Sequence, residues 1–160
     1  MNARATNDDD GGGGYPRVLV SNRMTDAPTS MLDGPALADL ARATLVGEGL
    51  VDVELSLAFV DDEEIADLHE RYMHEAGPTD VLTFPVDDEH DVDERGIRVL
   101  GDVVIAPRVA ARNNPDDPGS ELRLLVVHGV LHALGYDHEE DEERLEMWAR
   151  QERYSGVAVS

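Results

Sequence analysis

The apolar positions of this chain switch repeatedly between a period near two and a period near 3.6. The switches predict the order β-α-β-α-β-β-α-α-α. Arg17-Val-Leu-Val-Ser21 reads as a short strand. Pro35 to Val46 has apolar residues at helical spacing and closes on Gly47 and Gly49. From Val51 to Val60 the alternation is strict at first, which predicts a strand with one buried face. Asp61-Asp-Glu-Glu64 opens a second helix: Asp61 is placed to cap it, Glu64 holds the capping-box position, and Ile65, Leu68 and Tyr72 form its apolar stripe. Pro78-Thr-Asp80 predicts a turn, and Val81-Leu-Thr-Phe84 a third strand.

Residues 87–98 are acidic and aperiodic, so a mobile loop is expected before a fourth strand that starts at Val99. Pro107 opens a short helix through Arg112, residues 113–119 have turn composition, and Ser120 is placed to cap the next helix. That helix, Glu121 to Leu134, is apolar on most sides, so it is expected at the centre of the fold with its histidines facing inward. A last helix, Asp141 to Tyr154, carries Leu145, Met147 and Trp148. The order implies one α+β domain over residues 15–155, a mixed four-stranded sheet packed by helices. A disordered tail is expected at 1–14, which ends in three Asp and four Gly, and a short tail at 156–160.

Composition changes this picture in three ways. The first residues lack a signal-peptide layout and no apolar run approaches bilayer length, so a cytoplasmic protein without a membrane partner is expected. There is no cysteine, which excludes disulfides and thiolate metal sites. The formal charge is −22, and all 13 basic residues are Arg. Such a surface repels polyanions at long range and favours basic partners.

Candidate chemistry sits in His128-Gly-Val-Leu-His132-Ala-Leu-Gly135-Tyr-Asp-His138. On a helix His128 and His132 share one face. Gly135 is where the helix must stop in a positive-φ turn, which can swing His138 back toward the pair. Three neutral imidazoles with an open fourth position make a catalytic, zincin-like zinc site, whereas a structural site is closed by a fourth protein ligand. Nickel and copper accept the same donors. A lone i, i+4 pair is as often plain core, but a third imidazole in the same apolar neighbourhood is costly without coordination. Each ring nitrogen left over needs an acceptor, with the carboxylates after His138 and backbone carbonyls as candidates. Zinc proteases with this spacing carry a Glu after the first His as general base. Here that position is Gly129, which argues against peptidase chemistry. Met147 reads as core before it reads as a residue packed beneath a metal.

With these residues in view, the chain resembles the YbeY family of bacterial rRNA maturation factors, single-strand-specific endoribonucleases. The likeness rests on the 128–138 run, on Pro78-Thr-Asp-Val-Leu-Thr-Phe-Pro85 and on Leu100-Gly-Asp102-Val-Val-Ile105, and covers roughly residues 15–155. It implies that His128, His132 and His138 hold one zinc ion per chain. It also implies that Asp102 lies on a functionally sensitive surface, beside the cleft or where ribosomal partners dock; the alternative is a strand carboxylate that caps a neighbouring turn. The family often has an Arg after the aromatic residue of its second helix. Here that residue is Met73, and Arg71 points to another side of the helix.

The expected function is zinc-dependent endonucleolytic hydrolysis of single-stranded RNA in ribosomal RNA precursors, with roles in small-subunit rRNA maturation and ribosome quality control. Its partners would be RNA rather than DNA, together with ribosomal proteins or the small subunit. Arg108 and Arg112, one helical turn apart, are candidate phosphate contacts, set against the simpler reading of solvated surface arginines. No aromatic platform for stacking bases is visible. The alternatives are a zinc metallopeptidase, disfavoured by Gly129, and a non-catalytic assembly factor that zinc merely stabilises.

Overall fold

The elements form in the expected order: β1 (Arg17–Asn22), α1 (Gly34–Gly47), β2 (Val53–Phe59), α2 (Asp62–Met73), β3 (Val81–Pro85), β4 (Arg98–Ile105), α3 (Pro107–Asn113), α4 (Pro118–Ala133) and α5 (Asp141–Ser155). The structure is a computed structural model that describes residues 15–25, 33–86, 92–136 and 140–157. The tail expected at 1–14, most of the one expected at 156–160, the first part of the 87–98 loop and His138 therefore lie outside the described residues. No helix among the described residues is long and apolar enough to cross a membrane.

The sheet order is β1-β2-β4-β3, with β1, β2 and β4 parallel and β3 antiparallel on the β4 edge. Helices pack on both faces, completely on one and in part on the other. Val53, Leu55, Leu57 and Phe59 of β2 bury against α1 and α4, in a core that includes Leu45, Val126 and Val130. The opposite face packs Ala58, Leu82 and Val104 against Ile65 of α2. Alternation along β2 sorts these residues, because successive side chains in a strand point to opposite faces.

One bulge interrupts the alternation in β4. Glu54 pairs with Val99 and Leu55 with Gly101, so Leu100 is an extra residue. Leu100 consequently joins Val103 and Ile105 in the core beneath α4, although its number differs from theirs by odd steps. Gly101 makes this possible. Its φ is +133°, and a Cβ there would overlap the carbonyl oxygen of Phe84 and lie 2.9 Å from Pro85 Cα.

Helix α4 starts three residues earlier than expected. Pro118 occupies its first turn and Asp117 is the cap, accepting from the Ser120 backbone N–H at 3.2 Å and the Ser120 hydroxyl at 2.7 Å. Asx chemistry placed before a proline outcompetes the serine for the capping role. Asp61 likewise stands at the start of α2, but its side chain makes no cap bond. Its carboxylate is taken by the Thr25 backbone N–H at 3.0 Å, the Thr25 hydroxyl at 2.7 Å and the Arg108 guanidinium. Residues 93–97 form an ordered turn, in which Asp93 accepts from the Ile97 and Arg95 backbone N–H groups. The buried stripe of α5 is Met147, Gln151 and Ser155, each four residues apart, while Leu145 and Trp148 are exposed. Met147 is core, packed on Val127 and Leu131 of α4.

Candidate metal centre

Helix α4 is held between the sheet and α5, and its contact with the sheet is unusually close. A Cβ at Gly129 would overlap the Cγ1 methyl of Val103 and stand 3.2 Å from Cγ2. The Gly129 carbonyl also accepts from the Thr83 hydroxyl at 3.5 Å. The residue that separates this chain from the zinc proteases is therefore glycine for a packing reason: no side chain fits there.

The same helix turns His128 and His132 to one side, with ring centroids 4.6 Å apart and planes at 65°. Both are half-buried rather than sunk in hydrocarbon as expected. Their face of α4 looks toward α5 at His128 and toward the end of β3 and the start of β4 at His132. His132 lines a cavity of about 100 Å³ with Pro85, Val86, Arg98, Leu134 and Gly135. The Nδ1 of His128 is hydrogen-bonded to the side-chain carbonyl oxygen of Gln151. An imidazole that donates from Nδ1 carries its lone pair on Nε2, the nitrogen a metal would take. Gln151 is 3% exposed and follows Met147 by one turn on the buried side of α5. The expected acceptors were carboxylates and backbone carbonyls; a polar residue at i+4 from a buried methionine was the available signal.

The helix ends as the glycine predicts. Gly135 has φ +101°; its N–H bonds the His132 carbonyl at 3.0 Å, and the Tyr136 N–H bonds the Leu131 carbonyl at 3.0 Å. This paired closure reverses the chain direction. Tyr136 is then anchored from two elements, the end of α1 and α5. Its hydroxyl donates to Glu48 at 2.7 Å, the Arg150 guanidinium lies 4.9 Å over its ring, and Glu48 also accepts from Arg150 at 2.7 Å and from the Tyr154 hydroxyl. The Glu48 side chain is only 7% exposed. Burial by itself raises the Glu48 carboxyl, but hydrogen bonds from Tyr154 and Tyr136, together with Arg150, outweigh it and hold the group below the ordinary glutamate value. Burial, then the bond to Glu48, pushes the Tyr136 phenol up to about 12. The network ties the chain just before His138 to α1 and α5.

Among the described residues no group of three His, Asp or Glu side chains converges as a metal site, the third predicted ligand being outside them. The donors that are described fit a borderline-soft divalent ion: two imidazoles on one helix face, one with its tautomer set by a buried amide.

Asp102 is exposed on β4 and pairs in register with Ser56 and Phe84. It lies on the face opposite Val103, so the sheet separates it from α4. Met73 ends α2 on that same face, where Tyr72 meets Phe84 edge-on at 5.4 Å. Arg71 is paired with Asp67 at 2.8 Å. Both candidate phosphate contacts on α3 are engaged in ion pairs: Arg108 with Asp61, together with the Thr25 carbonyl, and the more exposed Arg112 with Asp62 at 2.6 Å.

Fold and site together define an α+β protein whose central helix sets a histidine pair between α5 and one end of a mixed sheet. The chain belongs to the Endoribonuclease YbeY family, whose model matches residues 34–156. It is 49% identical to Endoribonuclease YbeY of Beutenbergia cavernae, over 84% of this chain and 94% of that protein. It is 42% identical to Endoribonuclease YbeY of Streptomyces coelicolor, over 75% of this chain and 79% of that protein. The solution structure of TM1509 from Thermotoga maritima superposes with a TM-score of 0.56 at 28% identity, covering 86% of each chain.

Proposed function

We propose that this protein is a zinc-dependent endoribonuclease that cuts single-stranded RNA in ribosomal RNA precursors. It acts in the cytoplasm, in small-subunit rRNA maturation and ribosome quality control, on or near the small ribosomal subunit. Family membership supports the coarse activity, hydrolysis of RNA. The observation that carries the finer reading is the His128–His132 pair, with Gln151 orienting His128 and the Gly135 turn leading the chain toward His138.

In this reading His128, His132 and His138 hold one zinc ion. Zinc supplies Lewis acidity toward a phosphoryl oxygen and makes water acidic enough to act as a nucleophile near neutral pH. The protein's own part is positional. Gln151 accepts from the His128 Nδ1–H and so holds the tautomer whose lone pair is on Nε2. The Schellman closure and the Glu48–Tyr136 bond fix where the chain leaves α4. The packing of Gly129 on Val103 leaves no room for the general-base carboxylate of a peptidase. Asp102, exposed on the opposite face, is suited to docking a ribosomal partner.

The deciding experiment combines metal analysis with cleavage of single-stranded RNA by wild type and His132→Ala, folding being checked by circular dichroism. One zinc per chain and loss of cleavage in a folded variant are expected. Undiminished cleavage by His132→Ala would overturn the metal-dependent mechanism. A variant that unfolds would favour the non-catalytic reading.

A further inference from the structure

Most arginines described in this acidic protein are already neutralised: Arg95 by Glu54 and Asp93, Arg108 by Asp61, Arg112 by Asp62, Arg150 by Glu48. A guanidinium whose fork is filled by carboxylates has little left to offer a phosphate. Arg98 combines two features: like Arg17, Arg123 and Arg153 it is in none of the ion pairs among the described residues, and like Arg150 it has an Nε–H buried without an acceptor. A buried donor left unmatched costs free energy unless a ligand completes it.

Its position is set by the bulge in β4. Counting back from Val103, strict alternation would turn residue 98 to the α2 face. The extra residue at Leu100 reverses the phase and turns Arg98 to the α4 face. There it lines the cavity that contains His132 and the adjoining cavity of about 310 Å³ bordered by Glu48, Gly135 and Tyr136. This cation thus stands at the junction of the two hollows beside the histidine pair.

We infer that Arg98 binds a backbone phosphate of the single-stranded RNA and positions it beside the histidine centre. This rests on the RNA-cleaving function proposed above. Recognition through one local cation is also how a chain of net charge −22 can accept a polyanion. The long-range field is unfavourable, but contacts within a few ångströms are screened less by salt and water inside a cavity.

The test is fluorescence anisotropy with a short, labelled 2′-O-methyl oligoribonucleotide, which the protein cannot cut, over a series of salt concentrations. The proteins are wild type, Arg98→Gln, Arg98→Lys and, as a charge-matched control on α5, Arg153→Gln. Expected results are about tenfold weaker binding by Arg98→Gln, with a salt slope shallower by about 0.7, one phosphate's share for a single strand. Arg98→Lys should keep the slope and recover part of the affinity, and Arg153→Gln should match wild type. Unchanged affinity and slope in Arg98→Gln, with wild type binding, would overturn this inference alone. An equal loss in Arg153→Gln would reduce the effect to net charge and overturn it too. A wild type with no affinity would overturn the RNA reading and this inference with it. Arg98→Lys, which keeps the charge, decides the matter should Arg98→Gln misfold.

Discussion

The backbone of Gly129 lies so close to Val103 that the helix carrying the histidines rests directly on the sheet, with no side chain between them. Val103 is fully buried and β-branched, so it cannot swing a methyl out of the way. Gly129→Ala gains about 1 kcal/mol of helix propensity, but overpacking in a closed core costs about 1–3 kcal/mol. A net loss of up to about 2 kcal/mol is expected in urea unfolding. Combining it with Val103→Ala should cost less than the sum of the two single changes. Strict additivity would show that the two sites do not press on each other.

Gln151→Met keeps approximate volume on the buried side of α5 and removes the carbonyl oxygen that faces His128. Removing such a supporting partner costs about 10–100-fold in metal affinity. Competition with a fluorescent chelator should register that loss while the far-ultraviolet spectrum is unchanged. Zinc bound as tightly as in wild type would contradict an orienting role for Gln151.

The Glu48 network predicts how stability depends on pH at both ends. A carboxyl whose folded pKa lies below its unfolded value contributes stability that is complete above the unfolded value, about 4.3, and lost as pH falls through the folded one. Wild type should therefore weaken on acidification below about pH 4.3 more steeply than Glu48→Gln. Tyr136 works in the opposite sense. Its phenol is raised to about 12, so the stability it lends is present below its ordinary value and disappears as pH rises toward 12. Tyr136→Phe should flatten the alkaline limb of chemical unfolding measured as a function of pH. Parallel acid limbs in wild type and Glu48→Gln would show that the network does not govern acid stability.

Arg108 should matter to the fold and not to RNA. It joins Asp61 and the Thr25 carbonyl, so Arg108→Gln is expected to lower Tm and leave oligonucleotide affinity unchanged. Arg112→Gln, which breaks a more exposed pair with Asp62, should alter neither measurably. Weaker RNA binding by either folded variant would return α3 to the phosphate path.

Local chemistry makes much of this protein legible in its sequence. The element order follows from hydrophobic period, the mixed sheet from the succession of elements, and the stop of α4 from Gly135, because each depends on neighbours a few residues away. The histidine pair on one helix face is legible for the same reason, since i, i+4 spacing is a property of the helix alone. Capping is harder to read. Asp61 and Ser120 are suitable caps by type, but Thr25 and Arg108 claim the first and Asp117 displaces the second. Competition for one carboxylate is decided by what the fold brings near.

Tertiary structure alone decides which residues serve the histidine pair. Gln151 reaches His128 from 23 positions away, Tyr136 meets Glu48 across 88, and the Leu100 bulge turns Arg98 toward α4. None of these follows from composition or period. A hydrogen bond between distant residues, or a one-residue slip in a ladder, is set by how whole elements pack, and packing is a sum over contacts that no local stretch of sequence contains.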